Sequence, residues 1–334
     1  MKKILIDENV PQFKANLHCH SRYSDGANTV EELKEMYLSH GYSVIAFTDH
    51  EHIIDNSRLS DENFLALTGC ELAVKRDARE STMINKRMKV VHLNLYAKDP
   101  HNVDTPCYSS EYDHFIYAAS RGKVVHSCGE YKRTYSAEGV NEIIRTASGK
   151  GFLVSYNHPR WSLETAREYL CYDGLWGVEI YNHNVMQGGL FEYDVAVYDD
   201  MLRDGKRLAC TACDDNHNGK NNDSFGGFTY ICAEKLEYGA VISAMEGHRL
   251  YASTGPVIKS LTFEDGVATL VYDGGNCATA TSAGRRSQRS EGCGVARFDV
   301  RPEDVYVRFG VTDGRGHHAD TCAYFTDWLF GENK

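Results

Sequence analysis

The sequence predicts an α/β protein: a barrel of alternating strands and helices followed by a small all-β sandwich domain. Three observations carry this reading. Apolar strand-like runs alternate with amphipathic helical stretches over about 250 residues. Histidines, aspartates and glutamates recur where those runs end, which is where α/β barrels keep their chemistry. Past Ser253-Thr254-Gly255-Pro256 the helical signal stops, and short strand-like runs between turns replace it. The chain accordingly divides into residues 1–256 and 257–334.

The first unit holds Asn16-Leu17-His18-Cys19-His20-Ser21-Arg22-Tyr23-Ser24-Asp25-Gly26. Successive side chains of a strand point to opposite faces, so His18 and His20 share one face and make half of a metal site. Asp25 follows in a loop closed by Gly26. Asn28 or Thr29 can cap a helix, with Glu31 or Glu32 completing a capping box. Val30, Leu33 and Tyr37 give that helix its stripe, and Gly41 stops it. Residues 43–47 read as a buried strand ending in Thr48-Asp49-His50. Residues 64–67 lead into Gly69-Cys70-Glu71. Lys75 to Arg87 is charged and reads as an exposed loop or hairpin. The strand through residues 90–96 carries His92 in its interior.

Residues 97–135 read as an insertion with a helix around residues 111–119, carrying His126, Lys132 and Arg133. Ser136 caps a helix through Ile143, Ile144 and Ala147. The run 152–156 delivers Asn157-His158-Pro159-Arg160, and Ser162 is placed to cap the next helix. Residues 175–181 are a strand, 191–203 a helix, and 207–211 a strand ending in Cys213-Asp214-Asp215-Asn216-His217. A strand at 228–232 and a helix from about Leu236 to Gly247 complete the series. Beyond it, strands are expected at 258–263, 267–272, 278–282, 295–300, 305–312 and 322–325, with no helix. Arg285, Arg286 and Arg289 fall in a solvated loop.

The bulk numbers restrict function. The 334 residues carry a net charge of −11. That argues against binding nucleic acid through a broad basic face. It leaves room for a phosphorylated substrate, because bound metals reverse the sign locally. The N-terminal stretch lacks a long apolar run, and no stretch approaches the roughly 18 apolar residues of a membrane span. The eleven cysteines are scattered and odd in number, which fits reduced thiols. The expectation is a cytoplasmic protein with no membrane association and no obligate protein partner.

Singly these motifs are modest. Together, His18-Cys19-His20 with Ser24-Asp25-Gly26, Thr48-Asp49-His50, Gly69-Cys70-Glu71, His92, Asn157-His158-Pro159 and Asp215-Asn216-His217 stand in one order. That order resembles the polymerase-and-histidinol-phosphatase (PHP) superfamily of metal-dependent phosphoesterases, across residues 16–217. The layout is most similar to the TrpH-type nucleotide phosphoesterases, which also carry an insertion before the His-Pro motif. The resemblance implies a distorted TIM-like (β/α)7 barrel holding two or three divalent metals. Carried over by position, His18, His20, Glu71 and Asp215 would hold the first. Glu71 would bridge to a second, held also by His92 and His158. Asp25, His50 and His217 would hold the third, with Asp25 standing where some relatives have histidine. The implied reaction is hydrolysis of a phosphate ester by a metal-bridging hydroxide, with Glu71, Asp215 and His158 at its centre.

The donor set agrees with this chemistry. Imidazoles and carboxylates without a thiolate suit Mn, Fe or Zn. Arg160 is the first candidate for a phosphate clamp, Arg22 the second, and Lys132 or Arg133 the third. His126, His52 and His183 are further candidates for reaching the substrate. Cys19, Cys70 and Cys213 adjoin ligand motifs, but alternation turns them to the opposite face as small buried hydrophobes. Asp49 and Asp214 are expected to orient the ligands. The expected substrate is a small phosphorylated metabolite, a nucleotide or a short oligonucleotide. The alternatives are a histidinol-phosphate or sugar-phosphate phosphatase, an amidohydrolase-like hydrolase, and a non-catalytic metal-binding interaction module.

Overall fold

The computed structural model describes residues 2–76, 88–219 and 222–331. Most of the charged segment from Lys75 to Arg87 lies outside the described residues. The chain begins with β1 (Lys2–Ile6) and β2 (Gln12–Cys19), then α1 (Val30–Ser39), β3 (Val44–Phe47), β4 (Leu65–Lys75) and β5 (Val90–Ala97). It continues with α2 (Ala137–Gly149), β6 (Phe152–Tyr156), α3 (Ala166–Tyr169), β7 (Gly177–Asn182), α4 (His183–Gln187), α5 (Val195–Arg203) and β8 (Ala209–Cys213). Then come β9 (Phe228–Cys232), α6 (Tyr238–Glu246) and β10 (Leu250–Ser253). The C-terminal part holds β11 (Val257–Glu264), β12 (Val267–Asp273), β13 (Cys277–Ser282), β14 (Ser287–Glu291), β15 (Val295–Asp299), β16 (Tyr306–Thr312), β17 (His318–Thr321), β18 (Tyr324–Phe325) and α7 (Thr326–Phe330).

Local chemistry sets the helices. The Thr29 side chain accepts from the Glu32 N–H and the Glu32 carboxylate from the Thr29 N–H, so α1 begins at a capping box and buries Val30, Leu33 and Tyr37. Ser136 caps α2, which buries Val140, Ile143, Ile144 and Ala147. Ser162 does not cap a helix. Thr165 does, with Glu168 completing its box at α3. In the insertion, the helix expected around 111–119 is a single 3-10 stretch at Ser110–Phe115.

Strands β2, β3 and β4 pair in parallel, as do β6, β7 and β8. The alternation of strands and helices predicts a parallel sheet, but the sheet is not parallel throughout. Strand β5 runs antiparallel to both β4 and β6. Eleven residues carry β4 past its neighbours, and β5 returns along it with His92 opposite Ala73. Past β8 the chain comes back to β2. The Asp215 N–H donates to the His18 carbonyl (2.9 Å), and the His20 N–H to the Asn216 carbonyl (3.1 Å). Contacts thus join the first and last strands of the series at the end that bears the histidines.

The C-terminal strands form two sheets around their own core, which includes Ile258, Leu261, Phe263, Leu270, Phe298 and Phe309. One is the antiparallel four-stranded sheet β1-β11-β12-β15, so the start of the chain is paired into it. The other continues the large sheet through β10 and β17. The Arg308 guanidinium donates to both Asp199 oxygens at 2.8 Å and ties β16 to α5. Two strands, β14 and β17, stand where a loop and a turn are expected, and α7 follows β18 where no helix is expected. Among the described residues no helix is long and apolar enough to cross a membrane.

Candidate metal centre

The donors come from one end of the large sheet. His18 lies in β2, and His20 just follows that strand. His50 follows β3, Glu71 lies inside β4, and Asp215 and His217 follow β8. His92 enters differently, near the start of the reversed strand β5. His158 follows β6 with φ 24°, and Asp215 has φ 53°. Non-glycine residues rarely adopt such angles, which cost about 1–3 kcal/mol each and persist where surrounding contacts impose them. The Asp25 loop needs its glycine: a Cβ on Gly26 would sit 2.4 Å from the His20 carbonyl oxygen.

Among the described residues, three groups of donor atoms could each hold a cation. In the first, His18 Nε2 lies 3.1 Å from Asp215 Oδ1 and 3.3 Å from Glu71 Oε1, and His20 Nε2 lies 3.0 Å from Asp215 Oδ1. In the second, Glu71 Oε1 lies 3.0 Å from His92 Nδ1 and 3.2 Å from His158 Nε2. In the third, Asp25 faces His217 Nε2 at 3.4 Å, His50 Nε2 at 3.6 Å and His20 Nδ1 at 3.7 Å. The third group is larger than the resemblance implies, because His20 turns its second ring nitrogen into it.

The geometry fits divalent cations. Four ligands at about 2.0–2.2 Å in a tetrahedron are separated by about 3.3–3.6 Å, close to most of the spacings above. Two ring nitrogens, His18 Nε2 and His20 Nε2, face each other at 3.2 Å. One proton between them would make a hydrogen bond, and a cation shared by both rings fits the same spacing. Asp215 Oδ1 and His158 Nδ1 are buried without a hydrogen-bond partner.

The electrostatics say the same. Burial disfavours charge on His18, yet Asp215, Glu71 and Glu179 overcome it and hold its pKa well above the usual imidazole value. The same contest raises His158 and His217 to about 9. His20 falls to about 4, through burial first and the neighbouring imidazoles of His217 and His50 next. Burial pushes the Glu71 carboxyl up, but His92 and His18 hold it well below the carboxylate range. The carboxylates demand positive charge here, which protons or metal ions can supply.

A surrounding layer orients the donors. Glu179 Oε2 accepts from His18 Nδ1 at 2.8 Å, leaving Nε2 free for a cation. Asn182 donates to Glu179 Oε1 (2.6 Å) and Asp215 Oδ2 (3.0 Å), and Asn157 donates to Glu71 Oε1 (2.8 Å). Asp49 accepts from the N–H and hydroxyl groups of Ser21 and Ser24, at 2.7–3.1 Å. Asp214 accepts from the N–H groups of Phe225, Gly226 and Gly227 and from the Tyr37 hydroxyl. Asp49 and Asp214 therefore hold the loops that carry the donors. Glu179 escapes the sequence reading. Its only signal is a carboxylate between Val178 and Ile180 in an otherwise apolar strand.

The expected substrate-binding residues have other partners. Arg160, expected as the phosphate clamp, pairs with Asp194 through Nη2 at 2.9 Å and Nε at 3.1 Å. The cause is local: Asp194 is fully buried and needs a cation. The Arg22 Nε donates to the Ala27 carbonyl at 2.6 Å. His126 stacks on Tyr108 within the insertion at 4.2 Å, and Arg133 is buried against Glu51. Cys19, Cys70 and Cys213 are buried, free and in none of the donor groups. Cys210 and Cys213 are spaced as a CxxC, but strand alternation along β8 points them to opposite faces.

Comparison with known proteins finds similarity over the part of the chain that carries most of the donors. Residues 16–170 match the PHP domain family model. A stretch of 84 residues is 32% identical to the DNA polymerase/3'-5' exonuclease PolX of Bacillus subtilis, covering 20% of this chain and 15% of that protein. The chain thus spans about 15% of the length of this relative. Among solved structures, it resembles a two-domain protein from Bacteroides vulgatus containing a predicted PHP-like metal-dependent phosphoesterase, with 13% identity, 96% of each chain covered and a TM-score of 0.45. It also resembles a lesion-specific endonuclease from Pyrococcus furiosus, with 15% identity, 71% of this chain and 56% of that one covered, and a TM-score of 0.40.

Proposed function

We propose that this chain, which carries a PHP domain over residues 16–170, hydrolyses the phosphate ester of a small phosphorylated metabolite, first among them a nucleotide or short oligonucleotide. Its class is that of the metal-dependent phosphoesterases, hydrolases acting on phosphate ester bonds. The observation that carries the finer reading is the position of Glu71. Its two oxygens lie within 3.5 Å of His18, His20, His50, His92 and His158, so one carboxylate joins the donor groups.

The reading assigns His18, His20, Glu71 and Asp215 to a first cation, and Glu71, His92 and His158 to a second. Asp25, His50 and His217 hold a third, with His20 adjoining. Divalent Mn, Zn or Fe fits these donors and would supply Lewis acidity toward the phosphoryl oxygens and a water acidified toward neutral pH. The protein's part is to fix the geometry. Glu179 holds the His18 ring in the tautomer that leaves Nε2 free, Asn157 steadies Glu71, and Asn182 steadies Asp215. The net charge of −11 favours small substrates over a long polyanion, and the match to a polymerase/exonuclease supports a nucleotide or oligonucleotide. The contacts that bring β8 back to β2 support the distorted (β/α)7 barrel. All eleven cysteines are free, which supports a reduced, cytoplasmic setting.

Hydrolysis of p-nitrophenyl phosphate, bis-p-nitrophenyl phosphate and a nucleotide panel, with and without Mn²⁺, tests this reading. Metal-dependent turnover of one of these classes is expected. Inactivity of the metal-loaded protein on every ester would overturn it.

A further inference from the structure

Trp161 stands beside the second donor group. Its ring centroid lies 5.0 Å from that of His92 and 4.9 Å from that of His158. Those two histidines are 5% and 2% exposed, while Trp161 is 43% exposed. One side of the indole therefore leans on proposed ligands and the rest is open to water.

The loop beneath the indole is built rather than loose. The Trp161 N–H donates to Glu192 Oε2 at 2.8 Å and the Arg160 N–H to Glu192 Oε1 at 2.9 Å. Glu192 is itself fully buried. The Ser162 N–H returns to the His158 carbonyl at 3.1 Å, and Leu163 closes the turn with φ 58°. Leaving so large an apolar ring in water forgoes the gain of burying it, and here a fixed loop holds that open ring against two proposed ligands. Near His50, the Phe115 ring from the insertion leans on that imidazole at 4.9 Å. Aromatic rings thus adjoin the cluster at two separate ligands.

We infer that Trp161 is a specificity residue: a platform on which a planar group of the substrate, a nucleobase in the first instance, stacks while its phosphate lies on the donor cluster. The inference rests on the phosphoesterase reading for the position of the phosphate. Stacking fits the acidic character of the chain, because an aromatic face attracts a base without a basic surface. A base–aromatic stack contributes about 1–3 kcal/mol, roughly 5- to 150-fold in a binding constant.

The test compares adenosine 5′-monophosphate with ribose 5-phosphate, which share the ester and the sugar and differ in the base. In Trp161→Ala the ratio of kcat/KM for the two substrates is expected to fall by about tenfold. Trp161→Phe is expected to restore most of it. A ratio unchanged within about twofold in the alanine variant would overturn the platform while leaving the phosphoesterase reading intact. If the wild-type protein hydrolyses neither ester, indole fluorescence decides the platform, and the phosphoesterase reading is decided separately by the wider ester panel. Quenching by adenosine 5′-monophosphate that is lost in Trp161→Phe supports it, and equal quenching in both proteins overturns it.

Discussion

Glu179 Oε2 lies 2.8 Å from His18 Nδ1, and both side chains are within 1% of full burial. A neutral imidazole has one donor and one acceptor nitrogen, so this contact puts the proton on Nδ1 and leaves Nε2 facing Glu71 and Asp215. We expect Glu179→Ala to weaken metal binding by about 10- to 100-fold, the usual cost of losing such a partner. Titration of the metal-stripped protein with Mn²⁺ measures it. Wild-type affinity in the variant would show that the His18 ring is held by packing alone.

Neighbouring aspartates are expected to behave differently. Asp215 meets His18 and His20 at 3.1 and 3.0 Å, whereas Asp214 gathers three backbone N–H groups and the Tyr37 hydroxyl. Asp215→Ala, like His18→Ala, should abolish turnover and lower bound metal while the protein stays folded. Asp214→Ala leaves buried donors without an acceptor and should lower stability by about 3 kcal/mol. Metal analysis of the variants together with urea unfolding separates the two. Near-normal turnover in Asp215→Ala or His18→Ala would show that the first donor group is wrongly assigned.

These contrasts mark what the sequence makes legible. The nine expected donors converge because all but Asp25 fall on a strand face or just past a strand end, and Asp25 sits in the turn closed by Gly26, so period and turn chemistry are local signals. The reversal of β5 is not local. It depends on which strands pair, and the apolar run from Val90 reads the same in either direction. Strand β14 is polar throughout and largely exposed, since it pairs only with β13, so no hydrophobic period marks it. The pairing of β1 with β11 joins residues more than 250 apart, and nothing in the first strand announces its partner. Arg160 shows the limit for charge: its motif was visible, but Asp194, its buried partner, lies 34 residues on.

Metal binding should be linked to pH. Without a cation, His158 and His217 titrate at about 9 and so carry protons at pH 7. A cation needs the neutral ring, so these protons must leave, and affinity should rise as pH increases toward 9. His20, at about 4, is already neutral and contributes no proton. The His18 ring, held well above the usual imidazole value, must also lose a proton. Calorimetry of Mn²⁺ binding at pH 7.5, in buffers of different ionisation enthalpy, should therefore show release of roughly three protons per chain when all the sites fill. An affinity independent of pH from 6.5 to 8.5 would contradict the assignment of both rings as ligands.

Arg133 is expected to matter for the fold beneath the site. Its Nη1 donates to Glu51 Oε1 and to the Ala73 carbonyl, both at 2.8 Å, and its Nη2 lies 2.6 Å from Glu51 Oε2. Its Nε donates to the Cys107 carbonyl at 3.0 Å. Glu51 follows His50 with φ 62°, and its N–H donates to the Glu71 carbonyl at 2.9 Å. One guanidinium therefore joins the insertion, the strand of Glu71 and the turn that carries His50. The pair is wholly desolvated, so Arg133→Ala strands a buried carboxylate and should cost about 3–5 kcal/mol. Arg133→Lys keeps the charge but loses the fork, and should fall between. A wild-type urea midpoint for Arg133→Ala would mean that the pair adds nothing beyond the packing around it. If the alanine variant is too unstable to purify, the lysine variant still decides, because an unpaired surface cation would tolerate that change without a shift in midpoint.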